Sequence, residues 1–253
     1  MELTTGATTL KNLGHLNVIF CKNGVGKSPL LRALDAEYEK NPNEWLVKYI
    51  SPERGGGLAF DPSVESNMRS GNWATTHRRR NRAGQFRNMS FAEYKTLEIL
   101  VLRKREADGG APVFDDTLST INALLDQVQV VRASTADPQF MRKEDQAPQS
   151  ADTLSSGESE LLSLAIEILA FCHQVDHADN AEKKKLLLLD EPDVHLHPDL
   201  QHRLVELISA ATAEKDITTL VATHSTAPLS AYFRRICKSL KVQEEMDHGR
   251  SQP

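Results

Sequence analysis

The residues with the clearest chemical potential form one run near the amino terminus, NVIFCKNGVGKSPLL (17–31). A short apolar stretch, a turn with two glycines, a Lys-Ser pair and an amphipathic segment follow one another, as in a loop that binds phosphate. Gly24 and Gly26 allow backbone N–H groups to curl around phosphate oxygens, because neither residue has a Cβ. Lys27 is expected to reach the β- and γ-phosphates of a nucleotide, and the Ser28 hydroxyl to ligate Mg²⁺.

Two positions in this run depart from the pattern G-x-x-x-x-G-K-[ST]. Cys21 stands where the first glycine is expected, and Pro29 follows Ser28. Proline is compatible with the first turn of a helix, but it lacks an N–H that could contact phosphate. The alternative interpretation is a glycine turn that binds no ligand, and the motifs further along the chain argue against it.

An acidic pair follows a fully apolar predicted strand. Four leucines (186–189) precede Asp190 and Glu191, and ligands of open α/β sheets bind at the carboxyl ends of the strands. Asp190 is expected to hold Mg²⁺, directly or through water, and Glu191 to polarise a water in line with the γ-phosphate. The alternative is an acidic turn without function, which is hard to reconcile with a phosphate loop upstream.

Two weaker motifs accompany these. The run LSSGE (154–158) opens a long amphipathic helix, where Ser155 or Ser156 can cap the first turn and Glu158 can complete a capping box. The same N–H groups and hydroxyls offer a second anion site. His224 follows a buried strand; it can donate a hydrogen bond to a γ-phosphate, or it is an ordinary surface histidine.

Short apolar segments alternate with helical patterns, so the sequence predicts an α/β fold with a mainly parallel sheet flanked by helices. One or two strands are expected within 1–16, further strands at 18–20, 45–50, 128–131, 186–189 and 217–222, and helices at 29–40, 91–107, 116–127, 157–173 and 199–213. Ser90 and either Asp116 or Thr117 are the expected caps of the second and third helices. Residues 133–151 read as a polar loop, and residues 183–185 as a solvated turn.

Charge is distributed unevenly along the chain. The 253 residues carry a formal net charge of −5, yet the segment 69–105 has ten basic and two acidic side chains. Its arginine cluster consists of Arg78, Arg79, Arg80, Arg82 and Arg87. Such a cluster binds a nucleic-acid backbone, or an acidic protein partner, or forms a solvated helical face. The region 58–127 is therefore predicted to be a mainly helical, basic insertion.

Cysteine usage and hydropathy indicate the compartment. Cys21, Cys172 and Cys237 lie far apart and lack metal-ligand spacing, which fits a reducing cytoplasm. The amino terminus lacks the regions of a signal peptide, and no apolar run approaches the roughly 18 residues of a membrane span. A cytoplasmic protein without membrane association is expected.

Together and in this order, the four motifs resemble the ABC-type ATPase domain, a P-loop NTPase. Its Walker A motif matches Lys22, Asn23, Gly24, Val25, Gly26, Lys27 and Ser28, followed by Pro29. Its signature motif matches Ser155, Ser156, Gly157 and Glu158. Its Walker B motif with the catalytic glutamate matches 186–191, and its switch histidine matches His224. The resemblance implies ATP and Mg²⁺ as ligands. It implies metal-binding roles for Ser28 and Asp190 and catalytic roles for Glu191 and His224.

The resemblance covers residues 1–57 and about 150–235. It implies a discontinuous ATPase core (1–57 and 128–235), with the insertion at 58–127 and a poorly structured tail at 236–253. In ABC-type dimers the signature motif of one subunit closes over the ATP of the other. A head-to-tail homodimer or higher homo-oligomer is therefore expected, in which the signature residues act in trans.

The run DEPDVHLHPDLQ (190–201) looks like the soluble branch that holds the OLD, RecF and Rad50/SMC-like ATPases. It is also similar to ATPase subunits of anti-phage defence systems of the Septu and PARIS types, which implies a separately encoded nuclease or toxin as effector. His195 and His197 are expected in a loop at the dimer interface, although two histidines could equally bind a metal. Two alternative functions are an SMC/RecF-like DNA-maintenance ATPase and a non-hydrolysing, nucleotide-gated scaffold that sequesters a toxin or nuclease.

Overall fold

The computed structural model describes most of the chain and shows an α/β architecture. The described residues are 1–6, 8–20, 22, 26–50, 92–103, 114–132, 138–149 and 154–226. Their strands are β1 (Leu3–Thr5), β2 (Thr8–Leu10), β3 (Leu16–Phe20), β4 (Trp45–Ile50), β5 (Val128–Val131), β6 (Gln139–Arg142), β7 (Pro148–Gln149), β8 (Lys184–Asp190) and β9 (Ile217–Thr223). Their helices are α1 (Lys27–Tyr38), α2 (residues 92–103), α3 (Asp115–Asn122), α4 (Ser156–Val175) and α5 (Pro198–Thr212). None of these described helices is both long enough and apolar enough to cross a bilayer.

Four parallel strands form the central sheet, in the order β3, β9, β8, β4. Side chains alternate between the two faces of a strand, and β8 shows the consequence for packing. Leu186 and Leu188 belong to an apolar cluster with α1, whereas Leu187 and Leu189 belong to a larger one with α4 and α5. The predicted α/β fold, with a mainly parallel sheet flanked by helices, is confirmed.

Helix α4 is buried over most of its length, because it is apolar on nearly all sides. The described helices of the region 58–127 contribute to the same apolar core as α4. Leu97 of α2 and Ile121 of α3 lie in one apolar cluster with Leu161 of α4. The division of the chain into a core and an insertion stays a prediction.

The predicted polar loop over 133–151 is wrong for the described residues 138–149. Strands β6 and β7 pair antiparallel with β5 and with each other in a three-stranded sheet. Two prolines and a polar composition indicated a loop. However, Pro148 occupies a two-residue edge strand, where proline is tolerated, and only Phe140 of β6 is buried. Tertiary pairing therefore outweighs local propensity in this segment.

The predicted cap of α3 is also wrong. The helix begins at Asp115, and its N-cap is Phe114, which makes no capping hydrogen bond through its side chain. Asp115 and Asp116 instead lie in the first turn, where negative charge is favourable for the helix dipole. The other predicted cap, Ser90, lies outside the described residues.

The predicted solvated turn at 183–185 is correct only for Lys183. Lys184 and Lys185 belong to β8, and they point to opposite sides of the sheet. Lys184 is exposed and pairs with Glu44 at 2.8 Å. Lys185 is buried, and its Nζ donates to the carbonyl of Ala181 at 2.6 Å. The strand is therefore longer than its apolar run.

A buried charge cluster joins the sheet to two helices. Lys48 of β4 lies 2.5 Å from Glu93 of α2 and 3.5 Å from Glu167 of α4. The side chains of all three residues are at most 6% exposed. Buried charges are tolerated when they are paired in this way, so the cluster holds α2 and α4 against β4.

Cys172 on α4 is expected to resist alkylation in the folded protein. Burial raises the pKa of its thiol to about 12, so the thiolate fraction at pH 8 falls by roughly 10³-fold relative to an unperturbed thiol. Iodoacetamide labelling of native and urea-unfolded protein, followed by peptide mass spectrometry, measures this site separately from the other cysteines. Equal labelling rates in both states would contradict the expectation.

Candidate nucleotide-binding site

The candidate site lies at the carboxyl ends of β3, β9 and β8, which are adjacent in the sheet. The strand register sets Phe20 opposite Thr223 and Asp190 opposite Ala222. The segments that follow these three strands therefore leave the same edge of the sheet, where open α/β folds bind their ligands. Three motifs that are distant in sequence become neighbours for this reason.

The first of these segments leads into α1. Gly26 is the N-cap of the helix and has a φ of +101°, a left-handed conformation that favours glycine. It provides no side-chain cap to the first turn, so the N–H groups at this helix end suit an anion. Pro29 lies in the first turn and is exposed. Asn23, Gly24 and Val25 lie outside the described residues, and their phosphate-binding roles stay predictions.

Lys27 is a buried lysine at the start of α1, only 5% exposed. Its Nζ lies 3.4 Å from Oε1 of Glu191 and donates to the carbonyl of Lys22 at 3.2 Å. A buried ammonium group requires such partners. The predicted phosphate-binding lysine and the predicted catalytic glutamate are therefore in direct contact.

Ser28 and Asp190 provide two adjacent oxygen ligands. The Ser28 hydroxyl donates to Oδ1 of Asp190 at 3.0 Å, and Asp190 is fully buried at the end of β8. A hydroxyl beside a carboxylate fits Mg²⁺, which binds few protein oxygens and takes its other ligands from water and phosphate. The residues present therefore fit the predicted metal.

Tyr49 is a site residue that the sequence analysis missed. Its hydroxyl donates to Oδ2 of Asp190 at 2.8 Å, and Arg32 of α1 donates to the same hydroxyl at 3.4 Å. Burial raises the pKa of Asp190, and the hydrogen bonds from Tyr49 and Ser28 act in the opposite direction. No sequence motif marks Tyr49; its only signal is a phenol near the end of a buried strand.

Glu191 has an unusual backbone conformation. Its φ is +45°, which is uncommon for a residue with a side chain. A hydrogen bond from its N–H to the carbonyl of Ala222, 2.8 Å long, holds this conformation in place. Backbone strain of this kind concentrates at functional sites, and here it sets the direction of a predicted catalytic carboxylate.

His224 lies beside Glu191, as expected for a residue that follows β9. Its Nδ1 is 3.4 Å from Oε1 of Glu191, an ion-pair distance that lacks hydrogen-bond geometry. The structure thus brings together Lys27, Ser28, Asp190, Glu191 and His224. Their catalytic and ligand-binding roles stay predictions.

The segment after Glu191 is held in place by hydrogen bonds from Thr223 and Gln201. Thr223 donates to Oδ2 of the buried Asp193 at 2.8 Å. The side chain of Gln201 donates to the carbonyls of Asp193 and Leu196 at 3.2 and 2.9 Å. Burial raises the pKa of Asp193, and the hydrogen bond from Thr223 lowers it. The final Gln of the run 190–201 therefore has a structural role in shaping this loop.

The signature-like motif forms the predicted capping box. Ser155 is the N-cap of α4; its Oγ accepts from the Glu158 N–H at 3.2 Å, and a Glu158 carboxylate oxygen accepts from the Ser155 N–H at 3.2 Å. A Cβ on Gly157 would lie 2.9 Å from a methyl group of Leu200, so glycine allows close packing with α5. Ser155 and Ser156 are exposed, and the second anion site stays a prediction.

His195 and His197 are both exposed, in the loop between β8 and α5. The carbonyl of His195 lies near Gly157, so this loop borders the start of α4. Within the described part of the chain, no group of three or more His, Cys, Asp or Glu side chains is arranged to hold a metal ion. The predicted interface role of this loop is untested.

A comparison with known protein families gave a match for one part of the chain. Residues 118–230 match the model described as "AAA domain, putative AbiEii toxin, Type IV TA system". The matched range contains the signature-like motif, the Asp190–Glu191 pair and His224. The fold, the arrangement of the site and this family match, which covers less than half of the chain, together support a P-loop ATPase fold of the ABC-like class. The predicted resemblance is confirmed at this level, and the link to anti-phage defence stays a prediction.

Among solved structures, the chain is similar to SMC head domains. An SMC head bound to the C-winged helix domain of ScpA shares 13% identity over 53% of this chain and 42% of that chain, with a TM-score of 0.37. The SMC head of Thermotoga maritima shares 19% identity over 51% of this chain and 43% of that chain, with a TM-score of 0.34. The Pyrococcus furiosus SMC head with an extended coiled coil, bound to the C-terminal domain of ScpA, shares 15% identity over 47% of this chain and 30% of that chain, with a TM-score of 0.33. This chain spans less than half of each of these chains. A comparison with curated proteins gave no match.

Proposed function

We propose that the protein binds Mg-ATP and hydrolyses it between two copies of the chain, and that this cycle controls a separate effector protein. One observation carries the proposal: the ammonium of Lys27, the hydroxyl of Ser28 and the carboxylates of Asp190 and Glu191 converge at one edge of the sheet. A cation for phosphate, oxygens for a metal and a carboxylate for water are the parts that phosphoryl transfer requires.

Each of these side chains has a distinct task in the proposed reaction. Lys27 exchanges its contact with Glu191 for the β- and γ-phosphates. Ser28 and Asp190 hold Mg²⁺, which neutralises charge on the phosphate oxygens when it is bound. Glu191, released from Lys27, accepts a proton from the water that attacks the γ-phosphorus. His224 lies against Glu191 and senses whether the γ-phosphate is present.

The signature-like motif has its task in the second copy of the chain. Ser155, Ser156 and the N–H groups at the start of α4 form an exposed helix end that suits a phosphate. The loop with His195 borders the same helix end, which supports a shared interface. In this arrangement each ATP lies between the Walker motifs of one chain and the signature motif of the other.

The nature of the effector is proposed from the resemblance of residues 190–201 to ATPase subunits of anti-phage systems. A separately encoded nuclease or toxin, in a defence role, is the proposed partner. The arginine cluster at 78–87 lies outside the described residues, and its binding to nucleic acid stays a prediction.

The proposed function is tested first by the binding of a fluorescent ATP analogue with Mg²⁺ and by ATP turnover over a wide range of protein concentration. We expect turnover per chain to rise with concentration, because each site needs a second copy. Lys27→Met is expected to weaken nucleotide binding by about tenfold to 100-fold, as loss of a charge-assisted contact does. Lys40→Met changes an exposed lysine just beyond the end of the same helix and is the matched control.

The outcomes separate the alternatives. Unchanged binding by Lys27→Met would overturn the site assignment. Turnover per chain that is independent of concentration would overturn the two-chain mechanism, and strong stimulation by DNA would favour a DNA-maintenance ATPase.

A further inference from the structure

We propose that Tyr49 is a positioning residue for the Asp190 carboxylate, and that it tunes the affinity of the site for Mg²⁺; this inference rests on the proposed binding of Mg-ATP. The contact joins residues on neighbouring strands, β4 and β8. Its hydrogen bond is 2.8 Å long, and Tyr49 and Asp190 are 1% and 0% exposed. Water therefore does not compete for this contact.

The two oxygens of Asp190 have different donors. Oδ2 accepts from Tyr49, and Oδ1 accepts from Ser28, the other proposed metal ligand. With Oδ2 held from the side of β4, rotation of the carboxylate is restricted and Oδ1 stays directed at Ser28. Partners that hold a metal ligand in this way affect metal affinity without touching the metal.

Arg32 determines which way the phenolic proton points. A guanidinium group can only donate hydrogen bonds, whereas a phenol has one proton to donate. Because Arg32 Nε donates to the Tyr49 oxygen, the phenolic proton is directed to Asp190. Arg32 thus donates to Tyr49, and Tyr49 in turn donates to the carboxylate of Asp190.

A simpler interpretation is that Tyr49 is a core tyrosine whose hydroxyl happens to find a partner. Its ring does lie in the apolar cluster beneath α1, and buried phenols usually have a hydrogen-bond partner. The two interpretations predict different behaviour of Tyr49→Phe. A core role changes stability alone, whereas a positioning role changes the response to Mg²⁺.

The test measures the binding of a fluorescent ATP analogue during a Mg²⁺ titration, and also its binding in EDTA. We expect Tyr49→Phe to raise the half-saturating Mg²⁺ concentration by about tenfold, as loss of a partner to a metal ligand does, and to leave the affinity in EDTA unchanged. Tyr94→Phe is the matched control: it removes another buried phenol, whose hydroxyl has no hydrogen-bond partner among the described residues.

An unchanged half-saturating Mg²⁺ concentration in Tyr49→Phe would overturn the inference, whatever happens to its Tm. A rise of the same size in Tyr94→Phe would overturn it too, because the effect would then be a general response to loss of a buried hydroxyl. If the wild-type chain binds the nucleotide with no dependence on Mg²⁺, the proposed function fails, and this inference fails with it. The wild-type titration therefore distinguishes the two failures.

Discussion

Glu191→Gln is expected to lower ATP turnover by about 10³-fold, the scale of general base catalysis by a positioned side chain. Glutamine has nearly the same shape, so it can occupy the place beside Lys27 and His224 that the carboxylate occupies at 3.4 Å from each. However, it cannot accept a proton from water. Nucleotide binding should therefore persist while the chemical step is lost.

This variant should also accumulate an ATP-bound dimer. If hydrolysis is the step that separates the two copies, blocking it leaves them joined, and size-exclusion chromatography with Mg-ATP would show a two-chain species. Glu206→Gln is the matched control, because Glu206 is an exposed carboxylate on α5. We expect the control to match the wild type in turnover and in elution volume.

Two results would contradict this assignment. If Glu191→Gln hydrolyses ATP as fast as the wild type, another group activates the water. If the wild type binds nucleotide but neither protein turns it over, the chain is a nucleotide-gated scaffold. The departures at Cys21 and Pro29 from the Walker A pattern leave that function open.

Lys48→Met is expected to destabilise the fold by about 3 kcal/mol or more, the cost of removing one partner from a buried ion cluster. The change removes the ammonium that lies 2.5 Å from Glu93 and 3.5 Å from Glu167, and both carboxylates stay buried. For a chain of this size that corresponds to a Tm lower by roughly 10 °C. Thermal or urea unfolding followed by circular dichroism measures the loss.

Two further variants make this prediction specific. Lys184→Met removes a surface lysine from the neighbouring strand β8, where the pair with Glu44 is more than half exposed; its cost should be below about 1 kcal/mol. Adding Glu93→Gln and Glu167→Gln to Lys48→Met should recover part of the stability, because fewer negative charges then stay buried. A loss from Lys48→Met no larger than that from Lys184→Met would contradict the buried-charge explanation.

Much of the site could be predicted from the sequence, because its chemistry lies in short contiguous motifs. Lys27 and Ser28 follow a glycine turn, and Asp190 and Glu191 follow an apolar strand. In a parallel sheet, residues that follow strands lie at one edge, and the close contacts between these two pairs agree with that expectation. The capping box of Ser155 was predictable for a similar reason, since it depends on residues three apart.

The contacts that were missed join positions distant in sequence and carry no local pattern. The Tyr49–Asp190 hydrogen bond depends on β4 being the neighbour of β8. The charge cluster of Lys48 depends on the way α2 and α4 cover the other face of that strand. Strand order and helix placement follow from the packing of the whole domain, which no single segment encodes.

The sequence by itself determined the fold class and marked the Gly-Lys-Ser run and the acidic pair as candidate site residues, because periodicity, glycine and charge act over a few residues. Only the tertiary structure decided that Lys27 contacts Glu191, that Glu191 has a φ of +45° and that Tyr49 supports Asp190. These features depend on the register of β8 with β4 and β9. This register determines which side chains on neighbouring strands are in contact, so these contacts can be identified only from the assembled sheet.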